Sequence, residues 1–298
     1  MNKEQLWSKV NEFNEENSSV RLQIVHKNKN KNFYKFMDTD IKNKVQKEIF
    51  KLVNNSMRNT IRLNELVNFD PISREDDTIE VIKVDKVSGY KEFKNNRENI
   101  HNYVTGIRDF DTIGFYVLEF NNGESNIKVF RRYSKTKSLS RGIFFTAIDK
   151  TLDKIKDTIF QVDEAIDFIC IDDTTIIVFN RYSFELITGY RTNYVENLEK
   201  ALQEIKESNL INNIDRFCDD CKDSIKIAKR FTKAMANSSI GLILANLNDV
   251  EPAIKDADLP IKFINNKFEY EGKENLHDLV KLLSDEFAKT LIGKRITG

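Results

Sequence analysis

The order of apolar and polar positions divides the chain into short stretches of changing period. Residues 20–25 alternate as a strand, the polar run 27–32 reads as a loop, and Ile41, Val45, Ile49 and Leu52 or Val53 form a helical stripe. Asp70 and Pro71, followed by the charged residues 74–77, break the pattern, and residues 79–87 alternate again. Beyond a boundary expected near residue 110 the signals sharpen. Residues 113–120 and 127–133 are strand-like runs joined by Asn121-Asn122-Gly123, a hairpin turn sequence. A further strand is expected over 143–148, and a second hairpin over 165–179 turns at Asp172-Asp173-Thr174. Helical periodicity then dominates from Tyr194 onward, with short strands expected at 261–264 and 267–270. A final helix carries Leu276, Val280, Leu283, Phe287 and Leu291 on one stripe and is expected to be capped by Gly293. Hairpin-joined strands with helices gathered elsewhere predict an α+β fold: an antiparallel sheet built from hairpins with helices packed to one side, plus an N-terminal α/β region. The expected division is a basic N-terminal region of mixed helix and strand over 1–110 and an α+β domain over 111–298.

Composition agrees with a folded chain. Hydrophobic residues make up 40% of 298 and charged residues 32%, with 21 Phe and 9 Tyr, which is ample material for a core. No run approaches the roughly 18 consecutive apolar residues of a membrane-spanning helix. Residues 1–10 mix Lys3, Glu4 and Lys9 with Trp7 and lack the apolar centre of a secretory signal. With three Cys, an odd number, the cytoplasm is the expected compartment, with recruitment to the inner face of the membrane by a partner as an extension. Net charge is zero but unevenly spread: residues 21–62 and 128–141 are basic, and residues 163–223 are acidic. Such segregation creates separate surfaces that steer partners.

Two basic constellations are candidate nucleic-acid contacts. Lys128, Arg131, Arg132, Lys135, Lys137 and Arg141 leave a strand and enter a Ser/Thr-containing loop, with Tyr133 among them. Phosphates need cationic and hydroxyl donors, and an aromatic offers a base a surface to stack on. Lysines also guard strand edges, so a solvated edge is the competing explanation. The second is a helix expected over 220–237, where Lys222, Lys226, Lys229, Arg230 and Lys233 recur at spacings of three and four, with Ile225, Ala228, Phe231 and Met235 on another face. An ordinary surface helix has the same look.

Catalytic signals are weak. Cys218 and Cys221 have the spacing of half a zinc site, but no second pair completes it, and His26, His101 and His277 are scattered. Asp85 with Glu92-Phe93-Lys94, or Asp163, Asp167, Asp172 and Asp173, is the nearest approach to a nuclease metal site. The former is expected on a strand running into polar loop and the latter around a turn. Neither a nucleophile elbow, a phosphate loop nor a dinucleotide fingerprint occurs. No catalytic residue, metal ligand or cofactor is therefore assigned.

The run Val129-Phe130-Arg131-Arg132-Tyr133-Ser134-Lys135-Thr136-Lys137-Ser138-Leu139 resembles the aromatic-basic signature of the KwaB-like family of the Kiwa anti-phage system. Phe179-Asn180-Arg181 with Phe184-Glu185, and Leu283-Ser284-Asp285 with Phe287 and Thr290-Leu291, resemble its later motifs; Ser284 stands where the family's pattern has Asn. The resemblance covers roughly residues 110–298. It implies a cytosolic DNA-binding component of a bacterial defence pair, acting beside a small membrane protein and forming a homo-oligomer. The expected function is non-specific DNA binding that obstructs phage DNA replication or transcription. The alternatives are a metal-dependent nuclease and a protein-binding scaffold docking through the acidic stretch.

Overall fold

The computed structural model describes residues 1–28, 33–73, 75–106, 112–133, 145–148, 151–154, 160–222, 224–256, 258–284, 287–289 and 295–297, of which 28, 145–148, 151–154, 287–289 and 295–297 are described by their backbone alone. The chain forms two compact units, one of residues 1–69 and 76–188 and one of residues 70–75 and 189–298. The boundary expected near residue 110 falls inside the first.

The first unit is built on an eight-stranded sheet. Its strands are β1 (Ser19–Asn28), β2 (Phe33–Thr39), β3 (Glu65–Asn68), β4 (Thr78–Lys83), β5 (Phe115–Asn121), β6 (Asn126–Arg132), β9 (Phe168–Ile171) and β10 (Thr175–Val178), while β7 (Phe145–Ile148) and β8 (Thr151–Lys154) pair with each other. The order is β2-β1-β5-β6-β9-β10-β4-β3, antiparallel except for the parallel β3–β4 pair at one edge. Both expected hairpins form. Gly123 turns the first at φ +92, with the Asn122 side chain accepting from the Glu124 and Ser125 amides. Asp172 and Asp173 turn the second with both φ values near +50, a conformation that Asp tolerates better than most residues.

Helices cover both faces of this sheet, which corrects the expectation of one side. On one face α1 (Lys3–Asn11) and α2 (Asn43–Leu63) bury Leu6, Val10, Phe50, Val53, Met57 and Ile61 against Tyr116, Leu118, Phe120, Ile127 and Val129. On the other, α3 (Ser88–Glu98) and α4 (Arg181–Thr188) bring Tyr90, Phe93 and Phe184 onto Phe115, Phe130 and Phe168, the last two stacked with centroids 4.2 Å apart. Strand residues point alternately to the two sides, so strands buried on both faces read as near-continuous apolar runs, as Phe168–Ile171 and Thr175–Val178 do.

Several local expectations shift. The strand expected at 79–87 ends at Lys83 and passes into a 3₁₀ turn, Val84–Lys86. Glu92 lies on α3, not on a strand, because Tyr90, Phe93 and Arg97 recur with helical spacing and find partners on one side. In α2 the expected stripe is met in part: Ile41, Ile49 and Val53 pack against the core, whereas Val45 and Leu52 are about 40% exposed, and the fully buried side is Phe50, Val53, Met57 and Ile61.

The second unit is mainly helical: α5 (Arg191–Ser208), α6 (Ile214–Lys222), α7 (Ile225–Ala236), α8 (Ser239–Ala245), α9 (Leu247–Asp256) and α10 (Lys273–Leu283), with a small sheet of β11 (Ile211–Asn212), β12 (Lys262–Ile264) and β13 (Lys267–Glu269). The single helix expected over 220–237 is two, since Ser224 caps a fresh N-terminus by accepting from the Ile227 amide. The terminal helix also stops early. Ser284 returns its hydroxyl to the Val280 carbonyl, and Phe287 lies in β14 (Phe287–Lys289), paired with β15 (Arg295–Thr297). Leu291 and Gly293 lie outside the described residues.

The contact of α3 with the end of α4 predicts a sensitive position. A Cβ at Gly89 of α3 would stand 1.5 Å from the Thr188 carbonyl oxygen at the end of α4, which is backbone and cannot swing aside. Gly89→Ala should therefore cost at least about 2 kcal/mol by overpacking, read as a lowered urea midpoint at unchanged slope.

Candidate nucleic-acid interface

The alternation of β6 sends its basic residues to opposite sides of the sheet. Lys128 and Arg132 share the side of Phe130, and Arg131 and Tyr133 share the side of Val129. The sequence cluster is therefore not one surface, and most of its described members are already engaged.

Lys128 is 5% exposed and its Nζ donates to Asp173 Oδ1 at 2.6 Å. The Tyr90 hydroxyl donates to the same carboxylate oxygen at 2.6 Å. Burial raises Asp173, but hydrogen bonds from Lys128 and Tyr90 outweigh it and hold the carboxyl below its ordinary range. Beside it Asp172 accepts from the Ser125 hydroxyl and the Asn126 amide, which locks the second hairpin turn to the first. Cys170 lies under this cluster, where burial pushes its thiol up to about 12.

Arg131 faces the other way. Its guanidinium donates through Nε and Nη2 to the two oxygens of Asp163, both at 2.9 Å, and through Nη1 to Asp167 at 3.3 Å. Asp167 is 1% exposed and also accepts the Arg132 amide at 2.6 Å. Burial pushes the Asp167 carboxyl up despite these donors, whereas Asp163, nearer the surface, is desolvated less than its hydrogen bonds from Arg131 and Tyr116 compensate and is held low. Tyr133 is half-buried and stacks on Phe160 with centroids 5.2 Å apart.

Of the six cations and the tyrosine expected on this surface, Lys128, Arg131 and Tyr133 are thus taken up inside the fold. Arg132 is exposed, with its guanidinium 5.6 Å from the Tyr182 ring. Lys135, Lys137 and Arg141 lie outside the described residues.

The second constellation keeps its geometry on α7 without Lys222, which belongs to α6 and pairs with Asp219. Lys226, Lys229, Arg230 and Lys233 occupy successive turns of one side, and Ile227, Ala228, Phe231 and Ala234 are buried on the other. Lys226 is exposed. Lys229 lies 5.0 Å from the Tyr194 ring centre, Arg230 meets His277 at 3.3 Å, and Lys233 pairs with Asp70 at 2.9 Å.

Most carboxylates considered for metal chemistry have other occupations. Asp163 and Asp167 hold Arg131, Asp172 and Asp173 build the turn, and Glu92 is on α3, where its charge acts on Lys27 of β1 and Tyr34 of β2. Among the described residues no group of three or more His, Cys, Asp and Glu is placed to hold a metal ion. Cys218 and Cys221 are free thiols on α6; burial raises both, Cys221 to about 12, so neither is a thiolate at neutral pH.

Pairing across distance in sequence was not legible beforehand. Arg181, on the motif Phe179-Asn180-Arg181, grips Glu80, itself 1% exposed, through two guanidinium nitrogens. Asn180 accepts from the Ser183 amide to start α4, and Phe184 fills the core. Tyr182, between them, was not singled out, and its exposure follows from its place on α4 beside Leu186 and opposite Phe184.

Against known proteins, the family model described as Kiwa protein KwaB-like matches residues 110–293. No curated protein matches the chain, and no solved structure does. Among the described residues no helix is long and apolar enough to cross a membrane.

Two outcomes follow from the ion pairs. Arg131→Ala leaves the buried Asp167 carboxylate without its cation and should cost about 2–4 kcal/mol, most of it recovered when Asp167→Asn is added; equilibrium denaturation of the three variants measures the coupling. Asp163, Asp172 and Asp173 are held low in the folded state, so the stability they confer is complete above about pH 4 and is lost as pH falls through their lower folded values. Asp167, raised, runs the opposite way and offsets part of this. The thermal midpoint should fall below about pH 4, and less steeply in Asp173→Asn, which should be the less stable protein at neutral pH.

Proposed function

Because the chain belongs to the KwaB-like family of Kiwa proteins, it is a component of anti-phage defence, and we propose that it acts there by binding DNA without sequence preference. Bound in this way it obstructs phage DNA replication or transcription. Other components of the Kiwa system are its partners; a small membrane protein that brings it to the inner face of the membrane, and assembly as a homo-oligomer, belong to the same proposal.

The observation that carries the DNA reading is the basic side of α7. Lys226, Lys229 and Arg230, within little more than one turn and backed by a buried apolar stripe, form a stiff row of positive charge, with Lys233, held by Asp70, at its far end. Such a row can follow a phosphate backbone, which carries one charge per about 1.7 Å of duplex axis and is indifferent to base sequence. Arg132 and the run that carries Lys135, Lys137 and Arg141 supply a second basic element, in the first unit. Lys128 and Arg131 are left out of the proposed contacts, since moving either to a phosphate would strip Asp173 or the buried Asp167 of its cation.

Each phosphate contact releases condensed counterions, so log affinity should fall with log salt by about 0.9 per contact on duplex DNA. Reversing Lys226 and Arg230 to Glu should weaken binding to unrelated duplexes alike and flatten the salt slope by roughly two units, measured by fluorescence anisotropy on protein whose circular dichroism is unchanged. No binding by the wild type at low salt would sink the proposal in favour of a protein scaffold. Cleavage of plasmid with Mg²⁺ or Mn²⁺ would replace it with a nuclease.

A further inference from the structure

A lone exposed tyrosine on a surface needs no explanation. Tyr182 is different in what surrounds it. The ring is 58% exposed in the first turn of α4, and the exposed Arg132, last residue of β6, places its guanidinium 5.6 Å from the ring centre. Both ends of this pair are pinned by one residue. Asp167 accepts the Arg132 amide on its carboxylate at 2.6 Å, and its backbone carbonyl accepts the amides of Phe179 at 2.9 Å and Asn180 at 2.8 Å. The two positions flanking Tyr182 are also fixed, Arg181 by Glu80 and by the Phe69 ring 5.0 Å away, and Ser183 by the Asn180 side chain. The aromatic is therefore displayed on a rigid mount, with little entropy left to lose on binding.

We infer that Tyr182 and Arg132 form a stacking platform for an unpaired base, so that the protein prefers single-stranded or locally opened DNA to closed duplex. This rests on the proposed DNA binding and deepens it. A base held inside a duplex already has neighbours on both faces and offers the ring nothing, whereas an unpaired base presents a free face to Tyr182 while its phosphate meets Arg132. Stacking of this kind is tolerant of sequence, because every base has such a face. Opened strands are what replication and transcription expose, so the preference would direct a sequence-blind binder to the DNA being copied.

The test compares wild type, Tyr182→Ala and Tyr182→Phe on a fluorescent oligothymidine and on the duplex it forms with its complement, at one salt concentration. Tyr182→Ala should weaken binding to the single strand about tenfold or more and to the duplex less than about twofold, and Tyr182→Phe, which keeps the ring, should match the wild type. If Tyr182→Ala binds the single strand as the wild type does, or weakens on both DNAs equally, the platform is wrong while the α7 contact can still stand. If the wild type binds neither DNA, the DNA reading falls and the platform with it.

Discussion

Taking a carboxylate out of water costs several kcal/mol unless the surrounding structure supplies its partners, and the corner where β6, β9 and α4 meet is arranged around one such group. Asp167 gives its carboxylate to the Arg131 guanidinium and the Arg132 amide, and its backbone to Phe130, Phe179 and Asn180. Those few bonds fix where β6 ends, where β10 gives way to helix, and in which direction α4 sets out. The aromatic layer of Phe130, Phe168 and Phe184 packs directly beneath, so the polar ties and the apolar packing hold the same three elements. A second buried pair, Arg181 with Glu80, extends the arrangement to β4. The surface features of this corner depend on it: Arg132 is exposed because Arg131 is turned inward, and Tyr182 is exposed because Phe184 is turned inward on the same helix.

Charge in this protein is consequently a matter of register more than of composition. A run with two adjacent arginines looks like a patch when counted along the chain, but a strand's period of two divides it between faces, and only the side chain that meets no buried acid remains available. Lys128 falls to Asp173 and Arg131 to Asp163 and Asp167, each acid some 32 to 45 residues further on. A helix treats its charges otherwise. With 3.6 residues per turn, Lys226, Lys229, Arg230 and Lys233 stay on one side whatever the rest of the unit does, which is why the α7 stripe keeps its form where the strand cluster does not.

The same contrast separates what could be read from the amino-acid order from what could not. Hairpins announce themselves, since Asn121-Asn122-Gly123 and Asp172-Asp173 place residues that accept left-handed backbone between apolar runs, and the fold class followed from them. The strand β2 was missed because Lys35 and Asp38 interrupt its apolar residues, yet Tyr34 and Phe36 bury their rings against Phe93. The stripe of α2 is legible in part: Ile41, Ile49 and Val53 meet the core, while Val45 and Leu52 fit the same spacing and stay exposed, because only the sheet underneath chooses between positions so close in phase. The break at Ser224 gave a local signal in its capping hydroxyl, outweighed by periodicity that continues across it. The site was less legible than the fold for a physical reason: which cations face solvent depends on carboxylates brought near only by tertiary pairing.

The family match begins at residue 110, and the sheet shows what the preceding residues contribute. The four central strands β5, β6, β9 and β10 all lie within the matched stretch, while β1 and β2 pair outward from β5, and β4 and β3 outward from β10. Left to themselves the central strands would present two apolar edges with unpaired backbone donors and acceptors, the arrangement that invites edge-to-edge association. One face would also lose its cover, α1 and α2, and the other would keep α4 but lose α3. The N-terminal segment therefore closes both edges of the matched strands, covers one face and shares the cover of the other with α4. Its own acidic residues do part of that work: Glu80 of β4 is the buried partner of Arg181, in a motif that lies wholly within the matched stretch. Arg181, within the matched stretch, thus depends for its charge balance on a strand that precedes that stretch in sequence.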